Sequence, residues 1–279
     1  MIKNRPQKTV AMAKTGKINR RFDELDQLAE MYVQHAGIKS PPVDPGFWCS
    51  DKEQIHVHVA DLRGECDGLL TFRNGKFHLF YAPDKNKGRF TFAHEVGHYL
   101  IEEHHAAIRA GAGPAKCLTG FISDKEIEKE ADSFAAGLLL PRFLFRQSCP
   151  DPNFRDISRV ADAFDVSLTA TTLRTIAFTH VRSALVVTVD GRIKWYHASE
   201  DMVRSGVWAA KIGAPPPVNS KTASILRDLP LQSPQPIEGG ECWASDWFKC
   251  FSGDPQLWEE VFPLPAYGQI LTLLTFAKD

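Results

Sequence analysis

The residues best equipped for chemistry are His94-Glu95-Val96-Gly97-His98, which read H-E-x-x-H. On a helix, side chains at i and i+4 share a face, with Cβ atoms ~5–6 Å apart. Two imidazoles so placed can converge on one metal ion at about 2.0–2.1 Å per bond. Glu95, one position on, cannot share the ion with both histidines but can reach a water beside it. That is the layout of a hydrolytic metal site with two His ligands and a Glu general base. At this chain's His and Glu frequencies the pattern arises by chance roughly 0.02 times. An amphipathic helix with incidental histidines is therefore the weaker explanation.

Zinc in such a site needs a third protein ligand and an open position. The segment Glu126–Asp132 offers Glu126, Glu128 and Glu130. Glu128 is the best placed, because Asp132 follows it at i+4. Glu128 can bind the metal while Asp132, one turn along the same face, accepts a hydrogen bond from a ligand imidazole. Glu130 points about 160° away from Glu128 on a helical wheel, so both cannot face the metal. Glu126 and Glu130 read as solvated helix charges. His104 and His105 read as solvent-facing at a helix end, where cations suit the dipole. His56 and His58 read as surface residues on one strand face, and Cys117 as an inert loop thiol.

The motif needs elements to hold it. Gly88 precedes its helix, and Ser123-Asp124-Lys125-Glu126 is a capping box that starts a second helix near Asp124, with Pro141 ending it. Ala131, Phe134 and Ala135 form that helix's packing face. Between the two helices, residues 106–122 are Ala/Gly-rich and read as a loop. Upstream, residues 22–36 show helical apolar spacing closed by Gly37. "IHVHVADL" reads as a strand, and "GLLTFRNGKFHLFYA" as a hairpin turning at Asn74-Gly75. Downstream, "PDPN" at 150–153 marks a boundary, and two short helices joined at "FDVS" form a helix-turn-helix pattern. A hairpin turning at Asp190-Gly191 follows, then a Pro-rich stretch over 212–236 and two strands, "WEEVFPL" and "GQILTLLTFA". Trp243, Trp247 and Phe248, beside Cys242 and Cys250, read as core packing, with a pocket lining as the alternative.

Composition narrows the class. The 279 residues are 43% hydrophobic and 24% charged with a net charge of −1, so nothing global favours nucleic acid or a membrane surface. No apolar run approaches the ~20 residues of a membrane span. Residues 1–21 carry seven Lys or Arg and no acid, which reads as a basic flexible tail. They are not a signal peptide, because Lys14 and Lys17 interrupt the weakly apolar stretch. Six cysteines without C-x-x-C pairing read as reduced cytosolic thiols, so a cytoplasmic location is expected.

"RFTFAHEVGHYL" followed by "IEKEADSFAAGLLLP" resembles the ImmA/IrrE family of metallopeptidases over residues 22–142. The resemblance implies a zincin-like fold, zinc held by His94, His98 and Glu128, and Glu95 as catalytic base. Mn²⁺ and Fe²⁺ also accept such a site. Long family members continue with a helix-turn-helix-like segment and a GAF-like domain, and they cleave a Cro/cI-like helix-turn-helix repressor to release stress, DNA-damage or mobile-element genes. The expected class is α+β, with a basic tail at 1–21 and a zincin-like metallopeptidase domain at 22–150. A helix-turn-helix-like helical module over 151–183 and a GAF-like α/β sensor or docking domain over 184–279 complete it. Residues 151–183 balance four Asp with four Arg, which argues against direct DNA binding, since a reader presents a basic face. The rival classes are a DNA-binding regulator with a structural or sensory metal, and a metal-dependent hydrolase of a non-peptide substrate.

Overall fold

The computed structural model describes residues 7–48, 54–62, 66–83, 88–111, 125–227, 236–250 and 253–276. They form two compact units, the first being Met1–Gln147 with Phe164–Val166 and the second Ser148–Ala163 with Ser167–Asp279.

The first unit opens with helix α1 (Gln7–His35). It starts well before the expected position 22, so the helix runs back through most of the basic segment, whose Lys, Arg, Ala and Met are strong helix formers. Residues 1–6 lie outside the described residues. Leu25, Ala29 and Val33, spaced i, i+4, i+8, are at most 2% exposed and form the buried stripe of α1. Three strands follow, β1 (Ile55–Val59), β2 (Gly68–Arg73) and β3 (Lys76–Tyr81), in the order β1-β3-β2. β2 and β3 form the expected hairpin, with Asn74 at φ 53° and Gly75 at φ 78°, the two left-handed residues of a type I′ turn. β1 joins β3 in parallel.

Two consecutive helices, α2 (Gly88–Leu100) and α3 (Glu102–Arg109), carry the histidines. The loop expected over 106–122 is thus helical through Arg109; residues 112–124, with Cys117, Ser123 and Asp124, lie outside the described residues. Helix α4 (Lys125–Leu139) ends just before Pro141, as the sequence indicates, and α5 (Arg142–Phe145) follows. Ala131, Phe134 and Ala135 of α4 are fully buried.

α4 also lies close against α1. Ser133 Oγ donates to the Phe22 carbonyl at 2.8 Å, and Arg142 reaches Asp26 at 2.6 Å. A Cβ built on Gly137 would stand 2.6 Å from the Asp26 carbonyl oxygen and 2.9 Å from its Cα. Only glycine tolerates this approach.

The second unit holds helices α6 (Phe154–Phe164, whose last residue is counted with the first unit) and α7 (Leu168–Phe178, capped by Ser167). Strands β4 (Ser183–Val189) and β5 (Arg192–Ala198), helix α8 (Glu200–Arg204), strand β6 (Val207–Ala210) and helix α9 (Lys221–Arg227) come next. Strand β7 (Ile237–Trp243), helix α10 (Ala244–Trp247) and strands β8 (Phe248–Cys250), β9 (Gln256–Leu264) and β10 (Gln269–Phe276) complete it. Five strands form one antiparallel sheet, ordered β5-β4-β10-β9-β7. Both its faces are covered. Phe154, Ile157 and Ile176 pack on Leu185, Val187, Leu271 and Leu273. Met202, Val207, Trp247 and Phe248 pack with Ala184, Val186 and Leu274. That accounts for the unbroken apolar runs of β4 and β10, which a one-sided antiparallel sheet would alternate with polar residues. Trp247 and Phe248 are core, whereas Trp243 is 52% exposed, so the aromatic cluster does not share one environment. Among the described residues, no helix is long and apolar enough to cross a membrane.

Gly137→Ala tests the α1–α4 contact. Ala improves helix propensity by about 1 kcal/mol, but overpacking against fixed backbone typically costs about 1–3 kcal/mol. Net destabilisation is expected, read as a lower Tm at unchanged secondary structure; a raised Tm would mean that α1 yields to the added methyl.

Candidate metal centre

Helix α2 is buried along its length at the motif, with His94, Glu95 and His98 each at most 8% exposed. It packs on α4 where Gly97 meets Phe134 and the Ala131 carbonyl, both 3.3 Å from a Cβ built on that glycine. This approach brings Glu128 of α4 over the two histidines. Its carboxylate lies 3.2 Å from His94 Nε2 and 3.7 Å from His98 Nε2, and the two Nε2 atoms are 3.1 Å apart. Among the described residues, His94, His98 and Glu128 are the group of three whose ligand atoms converge, all within 4.8 Å of one another. Donors around a tetrahedral ion with bonds of ~2.0–2.1 Å stand about 3.4 Å apart, so the spacing fits a single small divalent cation.

The first histidine also has a partner that orients its ring. His94 Nδ1 donates to Asp132 Oδ1 at 2.9 Å. Burial alone would lower the His94 pKa, but the hydrogen bonds to Asp132 and Glu128 and the charge of Glu95 hold it up at about 10. His94 is thus doubly protonated at neutral pH, and its Nε2 proton sits between Glu128 and His98 Nε2. Burial and the cationic His94 push His98 down to about 3, so it stays neutral.

Glu95 sits close enough to His94 for their charges to interact and is packed against β2. A Cβ built on Gly68 of β2 would lie 2.7 Å from Glu95 Oε1, so the carboxylate rests against that strand, where it also accepts a backbone hydrogen bond from Leu70. Burial raises its pKa to about 7, which the positive His94 partly opposes. A carboxyl that titrates near neutrality is suited to accept and return a proton.

Two residues differ from expectation. His104 is not solvent-facing but 5% exposed, with its Nδ1 3.1 Å from His98 Nδ1. Glu130 is not simply a solvated charge: its Oε2 lies 3.1 Å from His104 Nε2 and 3.4 Å from Arg21. The reason is a break at Ile101, whose φ of −76° and ψ of 116° are extended and which separates α2 from α3. On one unbroken helix, position 104 would be rotated well away from position 98. No glycine or proline announces the break. His105 donates to the Tyr99 carbonyl at 2.9 Å and packs on Phe77. On the sheet, His56 is exposed and His58 half-buried, with His58 Nε2 3.0 Å from His78 Nδ1.

Residues 51–175 match the model of the IrrE N-terminal-like domain, peptidase family M78. No curated protein matches by sequence. Among solved structures, a Mycobacterium tuberculosis transcriptional regulator superposes with a TM-score of 0.58 at 15% identity, covering 93% of this chain and 80% of that one. At that identity the likeness is one of fold.

Titration calorimetry with Zn²⁺ in buffers of different ionisation enthalpy should show about one proton released per ion at pH 8. The sign follows from His94: it is protonated below about 10, and the ion must displace that proton. Apparent affinity should therefore rise about tenfold per pH unit from 7.5 to 9; a flat profile would mean that His94 binds metal without losing a proton. Glu128→Ala should reduce affinity severely, and Asp132→Ala by roughly 10–100-fold.

Proposed function

From the match of residues 51–175 to the IrrE N-terminal-like domain, we propose a zinc-dependent endopeptidase that cleaves a Cro/cI-like helix-turn-helix repressor. Its action would release a stress, DNA-damage or mobile-element response. The observation that carries this reading is the convergence of His94, His98 and Glu128 beside a buried carboxyl, Glu95, that titrates near neutrality. Zinc held there supplies Lewis-acid activation of a water nucleophile and of the scissile carbonyl; Mn²⁺ or Fe²⁺ would serve similarly. Glu95 accepts the water's proton as the oxygen adds to the carbonyl carbon, then delivers it to the leaving amide nitrogen as the C–N bond breaks. Gly68 leaves the space in which that carboxylate sits. Asp132 holds the His94 ring through Nδ1, which leaves Nε2 directed at the cluster.

Under this reading residues 151–183 are a helix-turn-helix-like module and 184–279 a GAF-like sensor or docking domain, and the protein works in the cytoplasm beside its repressor. Helices α6 and α7 supply the two helices of that module, although they pack on the five-stranded sheet within one compact unit. The rival reading, a DNA-binding regulator with a sensory metal, draws support from the solved neighbour, which is named a transcriptional regulator. Against it stands the even charge of 151–183 and the disposition of its one cation in the second helix. Arg174 of α7 folds over the Phe178 ring at 4.9 Å.

Glu95→Gln separates the two readings. The variant should retain zinc near the wild-type level and lose proteolysis, because its carboxylate handles protons and is not a ligand. Comparison of the proteomes of cells expressing wild-type protein and Glu95→Gln should show one repressor disappearing with the wild type alone. Identical proteomes, with both proteins zinc-loaded and the target operons still responding, would favour the DNA-binding regulator.

A further inference from the structure

His94 has the carboxylate partner expected of a ligand imidazole, in Asp132. Among the described residues, no carboxylate meets His98 Nδ1, which faces a second imidazole instead. The contacts continue outward in one line. His98 Nδ1 is 3.1 Å from His104 Nδ1, His104 Nε2 is 3.1 Å from Glu130 Oε2, and Glu130 Oε2 is 3.4 Å from Arg21 Nη2. Arg21 also reaches Glu103 at 2.9 Å. His98 and His104 are 2% and 5% exposed, so water does not readily substitute for either partner.

With His104 neutral, the donors and acceptors admit one consistent assignment. Glu130, paired with Arg21, is a carboxylate and can only accept. His104 Nε2 therefore carries a hydrogen and donates it. As a neutral imidazole, His104 then offers a bare Nδ1. His98 Nδ1 must carry the hydrogen that fills it, which leaves the lone pair of His98 on Nε2, the nitrogen facing His94 and Glu128. Each proton fixes the next.

We infer that His104 and Glu130 are positioning residues, a two-step relay that sets the tautomer and ring orientation of the metal ligand His98, anchored on Arg21 of α1. The inference rests on the metal reading above. It also extends the metal centre to a helix that lies outside the IrrE N-terminal-like match, since α1 ends at His35 and the match begins at residue 51. His104 is not a fourth ligand: the nitrogen it presents faces Nδ1 of His98, on the far side of the ring from the converging atoms.

The relay can be read without metal. Long-range ¹H–¹⁵N spectra of the full-length metal-free protein should show His104 as the Nε2–H tautomer and His98 as the Nδ1–H tautomer. Glu130→Gln should weaken that preference. His104 found as Nδ1–H, or a His98 tautomer indifferent to His104→Leu, overturns the relay. With Zn²⁺, His104→Leu should reduce affinity about 10–100-fold, while the Co²⁺ absorption spectrum keeps its shape because the ligand set is unchanged. His104→Asn, which keeps an acceptor towards His98 and a donor towards Glu130, should recover much of the loss. Glu130→Gln should cost less than His104→Leu and add little to it in the double variant, since both act through His98; full additivity overturns the relay. Glu130 is partly exposed, so its variant reports even if His104→Leu folds poorly. A wild-type protein with the assigned tautomers but no affinity for Zn²⁺ sinks the metal reading alone.

Discussion

The contact between α2 and α4 at Gly97 is the constraint on which the rest of the site depends. Helix axes usually pack 8–10 Å apart, and ligand atoms from two helices meet only where the crossing is close. A side chain at 97 would press on Phe134 and on the backbone at Ala131, each already 3.3 Å from where its Cβ would be. That would lift Glu128 away from both histidines at once. The apolar residues that surround this crossing, Val96, Ala131, Phe134 and Ala135, are fully buried. The alignment of the polar cluster is thus held by burial of its apolar neighbours, each large side chain contributing about 1.5–3 kcal/mol. A second glycine contact, Gly137 against Asp26, fixes α4 from its other side.

Charge balance is the second requirement. Buried ionised groups persist only where partners replace water. The cationic His94 stands between Asp132 and Glu128. Glu130 stands between His104 and Arg21. The two imidazoles at the centre, His98 and His104, have their pKa values lowered by burial. Charge therefore lies at the rim and neutral rings in the middle. A divalent ion at the converging donors would meet one carboxylate, from Glu128, and would replace the proton on His94. The neighbouring charge then changes by one unit rather than two, which keeps the cost of loading modest in a site screened from water.

Much of this was legible in the sequence because local rules govern it. The i, i+4 histidines, the i, i+4 pair Glu128 and Asp132, the Asn74-Gly75 and Asp190-Gly191 turns and the stop at Pro141 all follow from period and turn chemistry. What escaped depends on tertiary structure. The break at Ile101, a residue that is 1% exposed, has no composition signal. Once the chain turns there, His104 and Glu130 acquire partners that a helical wheel assigns to solvent. The basic segment differs from its sequence reading over residues 7–21, which are helical, for the reverse reason. Its composition looked like a tail, yet it is contiguous with α1, and helix propagates readily from a segment already held by packing.

The second unit shows where pattern reasoning stops. In β4 and β10 nearly every residue is buried on one face or the other, so the sequence carries no alternation from which to tell sides. One buried carboxyl in this unit serves the fold. Glu259, 1% exposed on β9, accepts from the backbone nitrogens of Lys221 and Thr222 at 3.1 and 2.9 Å and from Thr222 Oγ1 at 2.7 Å. It thereby satisfies the first turn of α9, whose opening amides would otherwise lack acceptors. This buried carboxyl serves a helix end, whereas buried Glu95 rests against β2 beside the charge of His94. Burial alone does not mark a working acid; what separates the two glutamates is the partners each one meets.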